Sequence, residues 1–350
     1  MQALILAGGK GTRLRPLTVY TPKPIVPICN RPFLLYQVDT LRRAGITDIT
    51  LSLSYQPQKI EQQLGDGSAY GVKIKYTVEP QPLGTAGAYK FAEELIREPT
   101  VVFNGDILTD LDLGAVIAQH RETKATATIV LTPVENPSAY GLVETAADRS
   151  VRRFLEKPKI DEISVNTINA GTYVLEPHVL DLIPAGENYS FEYNLFPDLL
   201  ARGESFFAHV PDKSYWIDIG TPARYLQVHY DLMANRVRSW TWTTRRGRAF
   251  DMATAAQVDE ASVVGDGCVL KPGVEIINSV LGPGCFIEEK ARIVNSVVWS
   301  HTRVGAAAEV SGAIIGRGCH VGRSAVVQTG TVLGDKSSLT DYTQSGASTK

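Results

Sequence analysis

Between residues 258 and 339, apolar residues recur at a step of six. Val258, Val264, Leu270 and Ile276 open the series, and Leu281, Ile287 and Ile293 continue it. Val304 and Val310 follow, then Ile315, Val321, Val327, Leu333 and Leu339. Single steps of five fall at 276–281 and 310–315, and a gap of eleven at 293–304. Neither a helix, with its period of 3.6, nor a single strand, with its period of 2, generates this spacing. A glycine or other small residue follows many of these positions, as in VVGDGC, VLGPGC and IIGRGC. That combination marks a hexapeptide β-helix, in which each apolar side chain points into a coil and the small residue fits its corner. Three such sides make a coil of about 18 residues, giving roughly four to five coils here. Cys268, Cys285 and Cys319 share one phase of the repeat, within Gly-x-Gly-Cys. Stacked small core residues explain them better than a metal or redox site.

The first 235 residues follow a different pattern. Apolar, β-rich runs at 49–53, 72–78, 101–103 and 126–131 alternate with helical patterns such as Phe33, Leu34, Tyr36, Leu41 and Ala44. Such alternation predicts a mostly parallel sheet covered by helices, with ligands at the carboxyl ends of its strands. The expected organisation is a Rossmann-like mixed-sheet α/β domain over 1–235, a connector over 236–256 carrying Trp240 and Trp242, a left-handed β-helix over 257–340 and a tail over 341–350. With 350 residues, two domains are reasonable. A net charge of −2 gives no reason to expect a nucleic-acid or membrane partner. No apolar run approaches the ~20 residues needed to cross a bilayer, and no secretion signal is visible. Four scattered cysteines fit a reducing cytoplasm, and the ends and flat faces of a β-helix suggest a homo-oligomer.

The chemistry-bearing residues lie in the first pattern. The string LILAGGKGTRLRPLTVYTPKPIVP spans residues 4–27. Its apolar run ends at Leu6-Ala7 and gives way to Gly8, Gly9, Gly11 and Thr12. Glycines let backbone N–H groups approach a phosphate. Arg13, Arg15 and Lys23 add cations on a segment stiffened by four prolines, which suits a polyphosphate held in one geometry. The string is neither a Walker loop nor the glycine pattern of a dinucleotide fold. A second motif runs from Glu79 through Pro82 to Gly84-Thr85, between a predicted strand and helix. A third, Asn104-Gly105-Asp106, follows another strand and offers Asp106 as a magnesium ligand. A fourth holds Asp218 just before Gly220-Thr221-Pro222, where on its own it reads as a helix cap and, paired with Asp106 and the first motif, as a second metal ligand.

Together these motifs resemble the sugar-nucleotide pyrophosphorylases, nucleotidyltransferases that join a sugar 1-phosphate to a nucleoside triphosphate. The resemblance covers essentially the whole chain. It implies that Leu6, Ala7, Gly8, Gly9, Gly11, Thr12, Glu79, Pro82, Gly84, Thr85, Asn104 and Gly105 hold the nucleotide. It assigns Arg13 to the leaving pyrophosphate, Lys23 to the α-phosphate region, and Asp106 and Asp218 to Mg2+. Glu156-Lys157-Pro158 matches the family's Glu-Lys-Pro, with Lys157 on the sugar phosphate and Glu156 on ring hydroxyls. Tyr140, Gly141, Asn169 and Gly171 complete the implied sugar pocket. Phe191-Glu192 also fits the family and is given no contact. The family position that reads the base edge is Glu79, and a carboxylate can accept guanine's adjacent ring N–H and amino group as a charge-assisted pair. Guanylyl transfer from GTP is therefore favoured, and Pro-Leu-Gly-Thr-Ala-Gly, Ser190-Phe191-Glu192 and Trp216-Ile217-Asp218-Ile219-Gly220 resemble the family members that use mannose 1-phosphate, which makes it the implied acceptor. Thymidylyl, uridylyl or adenylyl transfer to glucose 1-phosphate is the alternative within the family. A non-catalytic sugar-nucleotide-binding subunit is an alternative of another class, as is an added acyltransferase activity in the β-helix.

Overall fold

A computed structural model describes residues 1–240, 242 and 245–345. Part of the predicted connector (241, 243 and 244) and of the predicted tail (346–350) lies outside the described residues. The chain divides into two compact units that are not contiguous in sequence. One holds Met1–Gly9 and Leu34–Trp216, the other Lys10–Phe33 and Ile217–Lys350.

The first unit is built on a nine-stranded mixed sheet. In chain order its strands are β1 (Gln2–Leu6), β2 (Asp48–Leu53), β3 (Lys73–Val78), β4 (Thr100–Asn104), β5 (Ala127–Pro133), β6 (Gly141–Thr145), β7 (Val151–Glu156), β8 (Thr167–Leu175) and β9 (Phe206–His209). The main path runs β7-β6-β8-β4-β1-β2-β3, with β5 also paired to β8 and β9 to β5. β1 lies parallel to β2 and β4, in registers Ala3↔Ile49 and Ala3↔Val101. β8 turns antiparallel, with Thr172 opposite Phe103. Ala3, Leu4 and Ile5 are all buried, as expected of a central parallel strand covered on both faces. Helices α1 (Leu34–Arg43), α2 (Gly84–Phe91) and α3 (Leu113–Thr123) contribute to the cover. A core of Leu4, Val102, Ile129 and Tyr173 with the rings of Phe191, Phe196 and Phe206 fills one side.

The second unit contains the β-helix, helix α4 (Pro222–Met233) and the segment Lys10–Phe33. Among the described residues, two sheets of the β-helix have six strands and one has five. The first paired strand is Asp251–Met252 and the last Gln344–Ser345. Neighbouring coils pair in parallel with Val264 over Leu281, Leu281 over Val298 and Val298 over Ile315, which makes most coils 17 residues long. The five-residue steps are thus one short side per coil. The eleven-residue gap is filled by Val298, which is fully buried in the same core. The residue after it is Trp299, whereas Gly265, Gly282, Gly316 and Gly334 hold that place in the other coils.

The buried cysteines of the β-helix are free. The Cys268 thiol donates to the Gly282 carbonyl at 3.1 Å, and Cys285 donates to the Trp299 carbonyl at 3.2 Å. In the next coil Thr302 makes the same bond to Gly316 at 2.8 Å. The sulfur therefore acts as a small side chain that satisfies a corner carbonyl.

One outer face of the β-helix is apolar. Val263, Val280, Val297 and Ile314 lie beside the inward-pointing residues of one sheet and are themselves buried. Within this unit, Asn30 Nδ2 donates to the Leu281 carbonyl at 2.8 Å, Trp299 Nε1 donates to the Tyr225 hydroxyl at 2.9 Å, and the Tyr230 hydroxyl donates to the Asn295 carbonyl. Tyr225 in turn donates to the carbonyl of Pro27. Cys29 and Asn30 occupy the left-handed region at φ 46° and 65°, forming the two-residue turn of a hairpin between Pro27–Ile28 and Arg31–Pro32. The Cys29 N–H is accepted by His229 Nδ1 at 3.2 Å. Burial keeps that imidazole neutral, its pKa pushed down to about 3.

Candidate active site

In the first unit, β1 ends at Leu6 and the chain enters the glycine turn. A Cβ on Gly8 would lie 3.3 Å from Ser54 and 3.4 Å from a Glu79 carboxylate oxygen, while around Gly9 there is nothing within 4 Å. The sequence therefore leaves an open, side-chain-free backbone beside Glu79. That glutamate is buried and not a solvated loop residue. Its Oε1 accepts from the Ser52 hydroxyl at 2.9 Å and its Oε2 from the Leu83 N–H at 3.0 Å. Each carboxylate oxygen has two lone pairs, so capacity for a ligand remains after the turn is capped.

The turn into α2 is clamped by residues 187–191. The Ala86 and Gly87 N–H groups donate to the Tyr189 carbonyl at 3.0 and 2.8 Å, and Asn188 Nδ2 donates to the Pro82 carbonyl at 3.2 Å. Gly84 is required here: its φ is +76°, and a Cβ would sit 2.6 Å from the Tyr189 oxygen. The Thr85 hydroxyl accepts from the Phe191 N–H at 2.8 Å and donates to Glu192 at 2.9 Å. Glu192, assigned no contact from sequence, is thus tied to the turn into α2.

Asn104-Gly105-Asp106 follows β4 beside the end of β1. The Gly105 N–H donates to the Leu6 carbonyl at 2.9 Å, and a Cβ at Gly105 would approach that oxygen to 2.4 Å. Only glycine permits this contact, which fixes where half-buried Asp106 begins.

The expected sugar residues gather on β6, β7 and β8. A Cβ on Gly141 would lie 2.7 Å from Glu156 Oε2. Asn169 Nδ2 donates to the Tyr173 hydroxyl at 2.8 Å, and its Oδ1 accepts from the Gly171 N–H at 2.9 Å. Gly171, at φ +69°, sits against the Asn104 side chain. The Lys157 N–H donates to the Tyr140 carbonyl at 3.0 Å, and the Tyr140 ring meets Trp216 edge-on at 5.7 Å. Burial, with Glu192 nearby, raises the Glu156 carboxyl to a pKa of about 7, against the opposing pull of Lys157.

The second unit carries the cationic part of the first motif. Gly11 is at φ +60°, and a Cβ there would meet the Lys23 side chain at 3.0 Å. Lys23 is buried, while Thr12 and Arg13 are exposed. A Cβ on Gly220 would lie 2.7 Å from Asp218 Oδ1 and 2.9 Å from Arg13 Nη2. The first and fourth motifs therefore meet. Asp218 is not the helix cap; Thr221 is, its hydroxyl accepting from the Arg224 N–H. Asp218 Oδ1 accepts from the Gly220 N–H at 3.0 Å, and its Oδ2 pairs with Arg224. Sequence reasoning missed Arg224, although its place six residues on, in the first turn of a Pro-initiated helix, was a usable signal.

A hard divalent cation with phosphate and water ligands asks the protein for only one or two carboxylates. Half-buried Asp106 in the first unit and buried Asp218 in the second each supply carboxylate oxygens of that kind. Asp218 is paired with Arg224, and among the described residues no group of three or more His, Cys, Asp or Glu could hold a metal ion.

The chain is similar to known proteins over most of its length. Residues 2–235 match the family model described as nucleotidyl transferase, and residues 244–344 match the model of the EIF2B subunit epsilon LbH domain. The mannose-1-phosphate guanylyltransferase of Mycobacterium tuberculosis is 40% identical over 277 residues, 79% of this chain and 76% of that protein. A putative glucose-1-phosphate thymidylyltransferase from Bacillus anthracis shares the fold at a TM-score of 0.62 and 24% identity, over 70% of this chain and 98% of that one. HddC from Yersinia pseudotuberculosis, solved with GMP-PN, aligns at a TM-score of 0.57 and 32% identity, over 66% of this chain and 99% of that one. With the motifs, the sheet and the β-helix all accounted for, the chain belongs to the nucleotidyl transferase family, as an enzyme that transfers a nucleotidyl group to a sugar 1-phosphate and carries a C-terminal left-handed β-helix.

Proposed function

We propose that this enzyme makes GDP-mannose from GTP and mannose 1-phosphate. The observation that carries the reading is the 40% identity, across 79% of the chain, to a protein named mannose-1-phosphate guanylyltransferase. The buried carboxylate of Glu79 beside the open glycine turn supports guanine, and the relative solved with GMP-PN is consistent with it.

An oxygen of the sugar phosphate attacks the α-phosphorus of the triphosphate. The bond from that phosphorus to the bridging oxygen breaks, and pyrophosphate leaves. The nucleophile is already anionic, so the task is to align and neutralise anions, not to remove a proton. In this reading Arg13 holds the leaving pyrophosphate and Lys23 the α-phosphate. Lys157 holds the sugar phosphate, while Glu156, Asn169 and the Gly141 and Gly171 backbones hold the sugar. Enzymes of this family generally use a divalent metal. Here Asp106 and Asp218 would hold Mg2+, which supplies charge neutralisation on the phosphates. The four cysteines are free and buried, in keeping with a cytoplasmic setting. The ends and flat faces of a β-helix favour self-association, and a homo-oligomer is part of this reading.

The base assignment is tested by pyrophosphate release from Glu79→Gln with each nucleoside triphosphate and mannose 1-phosphate. Loss of one charge-assisted pair, about 1.5–3 kcal/mol, should lower kcat/KM for GTP by ~10- to 100-fold relative to UTP or dTTP. An unchanged preference for GTP would overturn the role of Glu79.

A further inference from the structure

Gln37 lies on α1, in a run of otherwise mostly apolar buried residues, and is itself buried. Its amide nitrogen donates to two backbone carbonyls, Asn104 at 2.8 Å and Ile107 at 2.9 Å. These carbonyls flank Gly105 and Asp106. Both amide hydrogens are thereby spent on the turn that presents Asp106. The carbonyl oxygen of the same side chain is buried with no hydrogen-bond partner among the described residues. A half-satisfied buried amide is a poor choice for packing alone, where leucine or methionine would serve. Departures of this kind are expected where function sets the residue. From the opposite side, the Gly105 N–H is held by the Leu6 carbonyl, so the turn is gripped at both ends.

We propose that Gln37 is a positioning residue for Asp106, fixing the Asn104–Ile107 turn so that the carboxylate meets the metal in one orientation. The claim rests on the reading of Asp106 as a metal ligand. Side chains held by their supporting partners keep a site productive, and loosened ones cost turnover without loss of the fold. Gln37→Met preserves length and volume, and a small cavity bounded by Tyr36, Phe103, Ile107, Leu108 and Thr172 gives the thioether room. It removes both donors and the unsatisfied oxygen together.

The test compares the full-length protein with Gln37→Met and Asp106→Asn. Four quantities are read: the thermal unfolding midpoint, amide exchange at residues 105–107, Mn2+ binding by electron paramagnetic resonance in the presence of GTP, and steady-state kinetics. For Gln37→Met the midpoint should fall modestly, because two carbonyls lose their donor while the unsatisfied oxygen is removed. In the folded protein amide exchange at residues 105–107 should accelerate, Mn2+ affinity should fall about tenfold, and kcat should fall ~10- to 100-fold, the range for lost outer support of a metal ligand. KM for the sugar phosphate should change less than twofold. If Asp106→Asn loses Mn2+ and Gln37→Met retains both Mn2+ affinity and kcat, positioning is refuted while the ligand reading stands. If Asp106→Asn binds Mn2+ like the parent, the ligand reading falls and takes the positioning claim with it. Should Gln37→Met fail to fold, Gln37→Glu, which keeps the size but turns acceptors toward two carbonyls, is expected to show the same losses. A fully active Gln37→Glu would overturn the proposal.

Discussion

Glu156 is a carboxyl whose charge is set by its neighbourhood. Burial and Glu192 raise its pKa to about 7, so it is largely neutral below that pH and ionised above it. An ionised Glu156 accepts hydrogen bonds from sugar hydroxyls at both oxygens, whereas the neutral form loses acceptor capacity. KM for mannose 1-phosphate should therefore fall as pH rises through about 7, and Glu156→Gln should flatten that dependence. Comparing the two enzymes cancels the titration of the sugar phosphate itself, whose second pKa is near ~6. A parent profile no steeper than the variant's would remove Glu156 from sugar binding. The raised pKa also means that any stability contributed by the neutral form is present at low pH and lost as pH rises through about 7. Glu156 and Asn169 stood out in sequence by the order and spacing of Glu-Lys-Pro and Asn-Ala-Gly-Thr relative to the first motif, each string alone being weak. Gln37 was not legible. A single amide within LLYQVDTL looks like a tolerated polar position, and only the two carbonyls it reaches give it meaning.

Among the elements, the β-helix is the one whose sequence speaks most directly, since each inward residue is separately visible. The six-residue step and the cysteine phase both follow from coil geometry. The reading failed at one place, the gap at 293–304, because Trp299 stands where the neighbouring coils place glycine. That departure has a physical cause: the indole is buried and reaches the Tyr225 hydroxyl on α4, which in turn holds the Pro27 carbonyl. A repeat was broken to join the β-helix to the segment bearing Lys23, within one unit. Tyr225→Phe leaves the buried Trp299 N–H and Pro27 C=O each short of a partner. It should cost about 1–3 kcal/mol, read as a lower unfolding midpoint in urea. An unchanged midpoint would show that this chain of hydrogen bonds carries no stability.

For the molecule as a whole, the chain groups by contact in a way that its composition does not announce. The change of pattern near residue 235 is visible in sequence, but the grouping of Lys10–Phe33 with Ile217–Lys350 is not. Periodicity reports which face of an element is apolar; it is silent on which distant segment covers that face. The outer strip of Val263, Val280, Val297 and Ile314 is such a case, since valine and isoleucine next to the inward positions look like ordinary strand residues. Arg13, Lys23 and Asp218 lie in the second unit, and Glu79, Asp106 and Glu156 in the first. Among the described residues no helix is long and apolar enough to cross a membrane. The proposed reaction is read by 31P NMR of the full chain with Mg2+, GTP and mannose 1-phosphate. The GTP and mannose 1-phosphate signals should fall together while GDP-mannose and pyrophosphate rise in equal amounts. A folded protein that leaves the spectrum unchanged, or yields GDP and orthophosphate instead, would contradict it.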